Sequence, residues 1–147
     1  MLEAQSIIAR LQTEMPVFGS VEGAAELAAL MAAPPQVFAK PRAHVVPMGI
    51  NGGAVVDAAG AFVQTIEHLF AVYMSISAHG DRKGGKKLED VSVLQNSLVL
   101  ALCGWSPPGL TTCGDIRLKR AYLVELKPGL IVYAIDFAVP DQLRIYP

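Results

Sequence analysis

The sequence predicts an α+β fold, a mostly antiparallel sheet of about four strands with helices mainly on one face, in the order α-α-β-β-α-β-β. Three observations carry this reading. Ala61 to Ser77 alternates with period two along its whole length; Lys86 to Cys103 repeats its apolar residues at helical spacing; and two alternating runs flank the turn sequence Lys127-Pro128-Gly129.

Each element follows from local pattern. Leu2 to Glu14 sets Ile7, Ile8 and Leu11 on one helical face, with Met15 following. Pro16 ends the helix because the residue before a proline is pushed out of the α region. Ser20 reads as the N-cap of a second short helix, with Glu22 in its favourable first turn, Leu27, Leu30 and Met31 sharing a face, and Pro34-Pro35 as the stop. Gln36 to Pro47 follows as a strand supported by Val45-Val46. Pro41 and Pro47 remove ladder donors, so this strand either lies at a sheet edge or breaks near Pro41. Met48 to Gly60, with Asn51-Gly52-Gly53 inside it, reads as a flexible loop.

Ala61 to Ser77 is the element around which the chain is organised. As one strand it would run about 50 Å at roughly 3.3 Å per residue, whereas strands usually hold about 3–10 residues, so it either bends at a bulge or extends past its sheet as an arm. His79 to Lys87 carries four basic residues among three glycines and reads as a solvated loop. Leu88, Val91, Leu94, Leu98 and Leu102 then form the apolar stripe of a helix that covers the sheet, ended by Gly104 and Ser106-Pro107-Pro108-Gly109. The runs Asp115 to Leu126 and Leu130 to Val139 close the chain as an antiparallel hairpin.

A length of 147 residues suits a single domain covering 1–147, burying about two thirds of its unfolded surface. Charged residues are only 17% against 52% hydrophobic, sparse for a monomer's surface, which points to buried subunit interface; abundant alanine is the competing explanation. A net charge of −1 gives no global attraction to nucleic acid or anionic membrane. The start MLEAQSIIAR has no secretory pattern and no segment approaches about 18 uninterrupted apolar residues, so no membrane role is expected.

The residues assemble no reaction centre. His44, His68 and His79 lack any metal-binding spacing, Cys103 and Cys113 cannot complete a four-ligand zinc site, and no serine sits in a nucleophile elbow; neither metal nor cofactor is called for. His68 lies on the apolar face of the long strand, where a hydrogen-bonded core or interface histidine is the ordinary explanation, and Glu67 points to the other face. Trp105 reads as a core or interface anchor. Gly84-Gly85 before Lys86-Lys87 at a helix start would suit an anion, but it matches neither phosphate-loop pattern.

The apolar, alanine-rich helical start and the segments VVPMGINGG, FVQTIEHLFAVYMSISAHGD, LVLALCGWSPPG and LIVYAIDFAVPDQLR resemble tail terminator proteins of Mu-like and related long-tailed phages, a match that covers Val17 to Arg144. That resemblance implies a small α/β structural virion protein that caps the tail tube as a homohexameric ring, stops tube polymerisation and forms the interface for head–tail joining. Its partners would be further copies of itself, the tail tube protein and the head–tail completion protein, with DNA passing through the lumen without specific binding. It would be located in the virion tail after assembly in the bacterial host cytoplasm. No catalytic residues transfer. Arg82, Lys83, Lys86 and Lys87, clustered after the long strand, are candidate assembly contacts on the lumen or tube-facing surface. Leu143, Ile145 and Tyr146 are further candidates, lying either on a neighbouring subunit or partner or against their own domain. A neighbouring head–tail connector protein, and a stand-alone α+β domain holding a small anion at Asn51-Gly52-Gly53 or Gly84-Gly85, are the competing readings.

Overall fold

The computed structural model describes residues 1–34, 36–58, 60–77, 85–112 and 114–146, with the side chains of 57–58 and 85–89 excepted. In chain order the elements are α1 (Ala4–Glu14), β1 (Ser20–Glu22), α2 (Ala24–Ala32), β2 (Arg42–Ala58), β3 (Ala61–Ser77), α3 (Gly85–Leu102), β4 (Arg117–Lys127) and β5 (Leu130–Ile145). The fold is α+β. Its single sheet has the order β1-β2-β3-β5-β4, five strands where the sequence predicts four, and only the β1–β2 pair is parallel.

The core forms where period-two and period-3.6 apolar faces meet. Ile7, Ile8 and Leu11 of α1 and Val91, Leu94, Leu98 and Leu102 of α3 cover Val45, Phe70, Val72, Met74, Ile131, Ile135 and Phe137 on one face of the sheet. Phe70 and Phe137 stack with ring centroids 5.2 Å apart at directly paired positions, and each full burial contributes about 1.5–3 kcal/mol. Trp105 packs on the margin of this core beneath the Arg10 guanidinium, 5.1 Å from the ring centroid, so it is an anchor as its sequence position suggested. The short α2 lies on the opposite face, against Arg42 and His44.

Four sequence expectations are corrected. Ser20 does not cap α2: it opens β1, pairing with Arg42, and Gly23 takes the cap position without a side-chain cap bond. Gln36 to Pro41 is not strand, and β2 starts after Pro41, the break that the missing proline donors allow. Met48 to Ala58 is not a loop but the continuation of β2, interrupted by irregularities between Pro47 and Gly49 and between Gly52 and Val55. Asn51-Gly52-Gly53 sits where β2 crosses β3: a Cβ on Gly53 would lie 2.5 Å from Thr65 Oγ1, so glycine answers a close approach rather than a turn. Gln64 Nε2 and Thr65 Oγ1 donate to the carbonyls of Gly53 and Ala54, at 3.1 and 3.2 Å, satisfying backbone groups that the bulge frees. Finally, β5 runs beyond Val139 to Ile145, paired with β3 throughout.

The length of β3 is thereby explained. Its pairing with β5 has no register break from Phe62 to Ser77, so it does not bend at a bulge of its own. The β4 ladder stops at Ala138 and the β1 ladder at His44, while β2, β3 and β5 continue together. Along this continuation β2 is exposed from Pro47 to Val56, in contrast to buried Ala43 to Val45. The result is a three-stranded arm extending from the helix-covered core.

Candidate assembly surface

The arm is fastened to the core by a buried polar clamp. His68 on β3 and Asp141 on β5 share one face of the sheet, the face that also carries Phe70 and Phe137. The Nε2 of His68 lies 3.1 Å from Asp141 Oδ2, and both side chains are buried. Because an ionised carboxylate only accepts, this ring nitrogen carries the proton. The other oxygen, Oδ1, accepts from the Thr112 backbone N–H at 2.9 Å and from its hydroxyl at 3.4 Å. Burial alone would push the Asp141 carboxyl up, but hydrogen bonds from Thr112, Gln142, His68 and Thr111 together outweigh it and hold the carboxyl below its ordinary value.

The segment that carries Thr112 is pressed closely onto β5. A side chain on Gly114 would run into the main-chain carbonyl of Pro140, which cannot move without breaking the β5 ladder. Its neighbour Ile116 is buried and exchanges backbone hydrogen bonds with the end of α3, its N–H to Trp105 O at 2.9 Å and its carbonyl from Gly104 N at 3.0 Å. The arm, the α3 terminus and the loop between them are thus tied through one short stretch.

Beyond the clamp the arm is apolar and open. Phe62 and Ile145 are directly paired and both exposed, with Val55 on the adjacent strand on the same face. Leu143, paired with Gln64, is half-buried; Ile145 is exposed; and Tyr146, just past the strand, is 69% exposed. The backbone of Pro140 to Ile145 therefore belongs to its own sheet, while the side chains of Ile145 and Tyr146 face outward. Of the basic cluster, Arg82 and Lys83 lie outside the described residues. Lys86 and Lys87 fall in the first turn of α3, with their side chains outside the described residues. Leu143, Ile145 and Tyr146 share the arm, and the basic residues are not brought to it by any described contact.

On the face opposite the core, Arg120 Nε donates to Asp136 Oδ2 at 2.8 Å and Lys119 Nζ lies 3.7 Å from Glu67. These pairs border a shallow depression of about 350 Å³ lined by Met48, Leu69, Lys119, Arg120 and Asp136. Cys103 is a half-buried free thiol whose pKa is raised by burial; Cys113 lies outside the described residues. Among the described residues no three His, Cys, Asp or Glu side chains could hold a metal ion, and no helix is long and apolar enough to cross a membrane.

Asp141 is the functional residue that sequence reading missed. The signal available was indirect: a histidine on an apolar strand face requires a polar partner, and the alternation of Leu130 to Val139 continues in phase through Asp141, Leu143 and Ile145.

What these residues build is a structural surface, an apolar arm braced by a buried hydrogen-bonded clamp. The family model for the phage tail terminator protein matches residues 1–147, and the chain belongs to that family. It is a structural component of a phage tail, located in the virion tail and in contact with other tail components. No individually curated protein matches the chain.

Proposed function

We propose that the protein caps the finished tail tube as a homohexameric ring, ends tube polymerisation and presents the surface to which the head is joined. The family match over the whole chain carries this reading. The exposed apolar arm supports it, because an apolar strip held out from a subunit's core is a surface that needs covering. On this reading residues 1–147 act as one domain assembled in the host cytoplasm, with no catalytic role. The tube protein lies on one side of the ring, the head–tail completion protein on the other, and DNA passes through the lumen without specific binding.

In this assembly Leu143, Ile145 and Tyr146 meet a neighbouring subunit or tail component, and Arg82, Lys83, Lys86 and Lys87 face the lumen or the tube. Replacing those four cations with serine leaves the fold intact and impairs tail joining; a normal phage yield from that variant would refute their role. The function itself is tested by adding purified protein to tail tubes during polymerisation. Growth stops and lengths become uniform if the protein is the terminator, and a length distribution unchanged by the protein would overturn the proposal.

A further inference from the structure

The two lateral edges of the sheet differ in charge. At one edge β4 is paired only through β5, and it carries Arg117, Lys119, Arg120 and Lys127 against the single acid Glu125. Arg120 and Lys119 have acidic neighbours in Asp136 and Glu67, but Arg117 and Lys127 have none among the described residues. At the other edge, α2 and β1 enclose a cleft of about 270 Å³ lined by Glu22, Glu26 and His44, together with Arg42, whose guanidinium lies 4.5 Å from the Phe38 ring centroid. Neither glutamate has an ion-pair partner among the described residues.

His44 is the second mark of this cleft. It is only 2% exposed, and its Nδ1 has no hydrogen-bond partner among the described residues. A buried polar atom left without a partner is a standing cost that a docked group can relieve by reordering the site. Burial holds the pKa of this imidazole below its ordinary value; the two glutamates pull it upward and Arg42 pushes it down. With the carboxylates of Glu22 and Glu26 against the guanidinium of Arg42, the lining of the cleft carries a net negative charge.

We infer that copies of this chain meet head to tail, with the β4 edge of one docked on the α2–β1 edge of the next and its cations directed at the cleft of Glu22, Glu26 and His44. The inference rests on the ring reading above and names the surfaces that would form the ring. Symmetric pairing of two β4 edges would set cations opposite cations, which is destabilising, whereas head-to-tail contact sets cations against acids. Contact between unlike edges is heterologous, the type that closes into rings. Apolar side chains are also exposed near both edges, Leu123 and Leu126 on β4 and, where β2 continues past the end of β1, Met48 and Ile50. Bulges interrupt the ladder on β2 and on β4, so the edges meet through side chains rather than as one continuous sheet.

Charge reversal tests the contact. Two variants of the full chain are prepared, Arg117→Glu with Lys127→Glu, and Glu22→Lys with Glu26→Lys. Their assembly is followed by sedimentation velocity and electron microscopy, alone and with tail tubes, after circular dichroism has compared their fold with that of wild type. Each variant alone loses assembly by at least about tenfold in association constant. A one-to-one mixture, or all four substitutions in one chain, restores it. Where a reversal prevents folding, the neutral set Arg117→Gln with Lys127→Gln replaces it and weakens assembly in the same direction. Wild-type rings that neither reversal affects, or a fourfold variant worse than both, overturn the edge contact alone; wild type that forms no ring even on tubes overturns the ring reading with it.

Discussion

Replacing Asp141 with alanine removes an acceptor group shared by the arm and the loop preceding β4. The variant strands the buried His68 Nε2–H and the part-buried Thr112 N–H, which lie 3.1 and 2.9 Å from the Asp141 carboxylate in the wild type. Each stranded donor costs about 1–3 kcal/mol, so the expected loss is about 3 kcal/mol. For a chain of this size that lowers the thermal midpoint by about 6–12 °C. Thermal and urea unfolding of wild type, Asp141→Ala, His68→Leu and the double variant measure it as a double-mutant cycle. Because His68→Leu removes one stranded donor, the double variant loses less than the sum of the single variants, with a coupling of about 0.5–3 kcal/mol. An Asp141→Ala protein within about 0.5 kcal/mol of wild type, or strict additivity, would refute the clamp.

Three further outcomes follow from the same geometry. His44 has a folded pKa below its ordinary 6.5, so the unfolded chain binds more protons just below that pH; stability is full above 6.5 and falls as the pH drops towards the folded value, and His44→Gln flattens this part of the profile measured by urea unfolding. Asp141 also has a folded pKa below its ordinary 3.8, so its contribution is complete above 3.8 and is lost as the pH falls through the lower folded value; acid titration of Asp141→Asn lacks that component. Gly114→Ala sets a methyl group against the Pro140 carbonyl and costs about 1–3 kcal/mol by thermal unfolding, where an exposed glycine in open space would cost less than about 0.5 kcal/mol.

Replacing Ile145 and Tyr146 with serine separates assembly from folding. Both side chains are exposed, so the unfolding midpoint stays near that of wild type while association with other copies or with tubes weakens. Truncation would be a poorer probe, since residues up to Ile145 are paired with β3.

The elements legible in the sequence are those whose pattern is local and long. Helix α3, strand β3 and the β4–β5 turn appear where periodicity and turn residues place them, because each buries one continuous apolar stripe. Strand β1 has three residues and exists through its pairing with β2, so it leaves no periodic trace of its own. The distal half of β2 was hidden by Asn51-Gly52-Gly53, whose glycines respond to Gln64 and Thr65 on another strand rather than to a local turn. Pro140 masked the end of β5: beyond Ala138 no β4 residue pairs with β5, so proline there sits on an open edge where its missing donor is tolerated. The candidate surface was legible in part. Ile145 and Tyr146 are exposed on the arm, but the partner that fixes His68 lies 73 residues away, a contact that only the three-dimensional pairing supplies.

The central claim, that this chain closes a tail tube, is tested most directly by electron microscopy of tail tubes incubated with purified protein. A ring of additional density with sixfold symmetry at one tube end only, absent from tubes without the protein, is the result this account predicts. Tubes whose ends look the same with and without the protein, or protein bound along the tube wall, would contradict it.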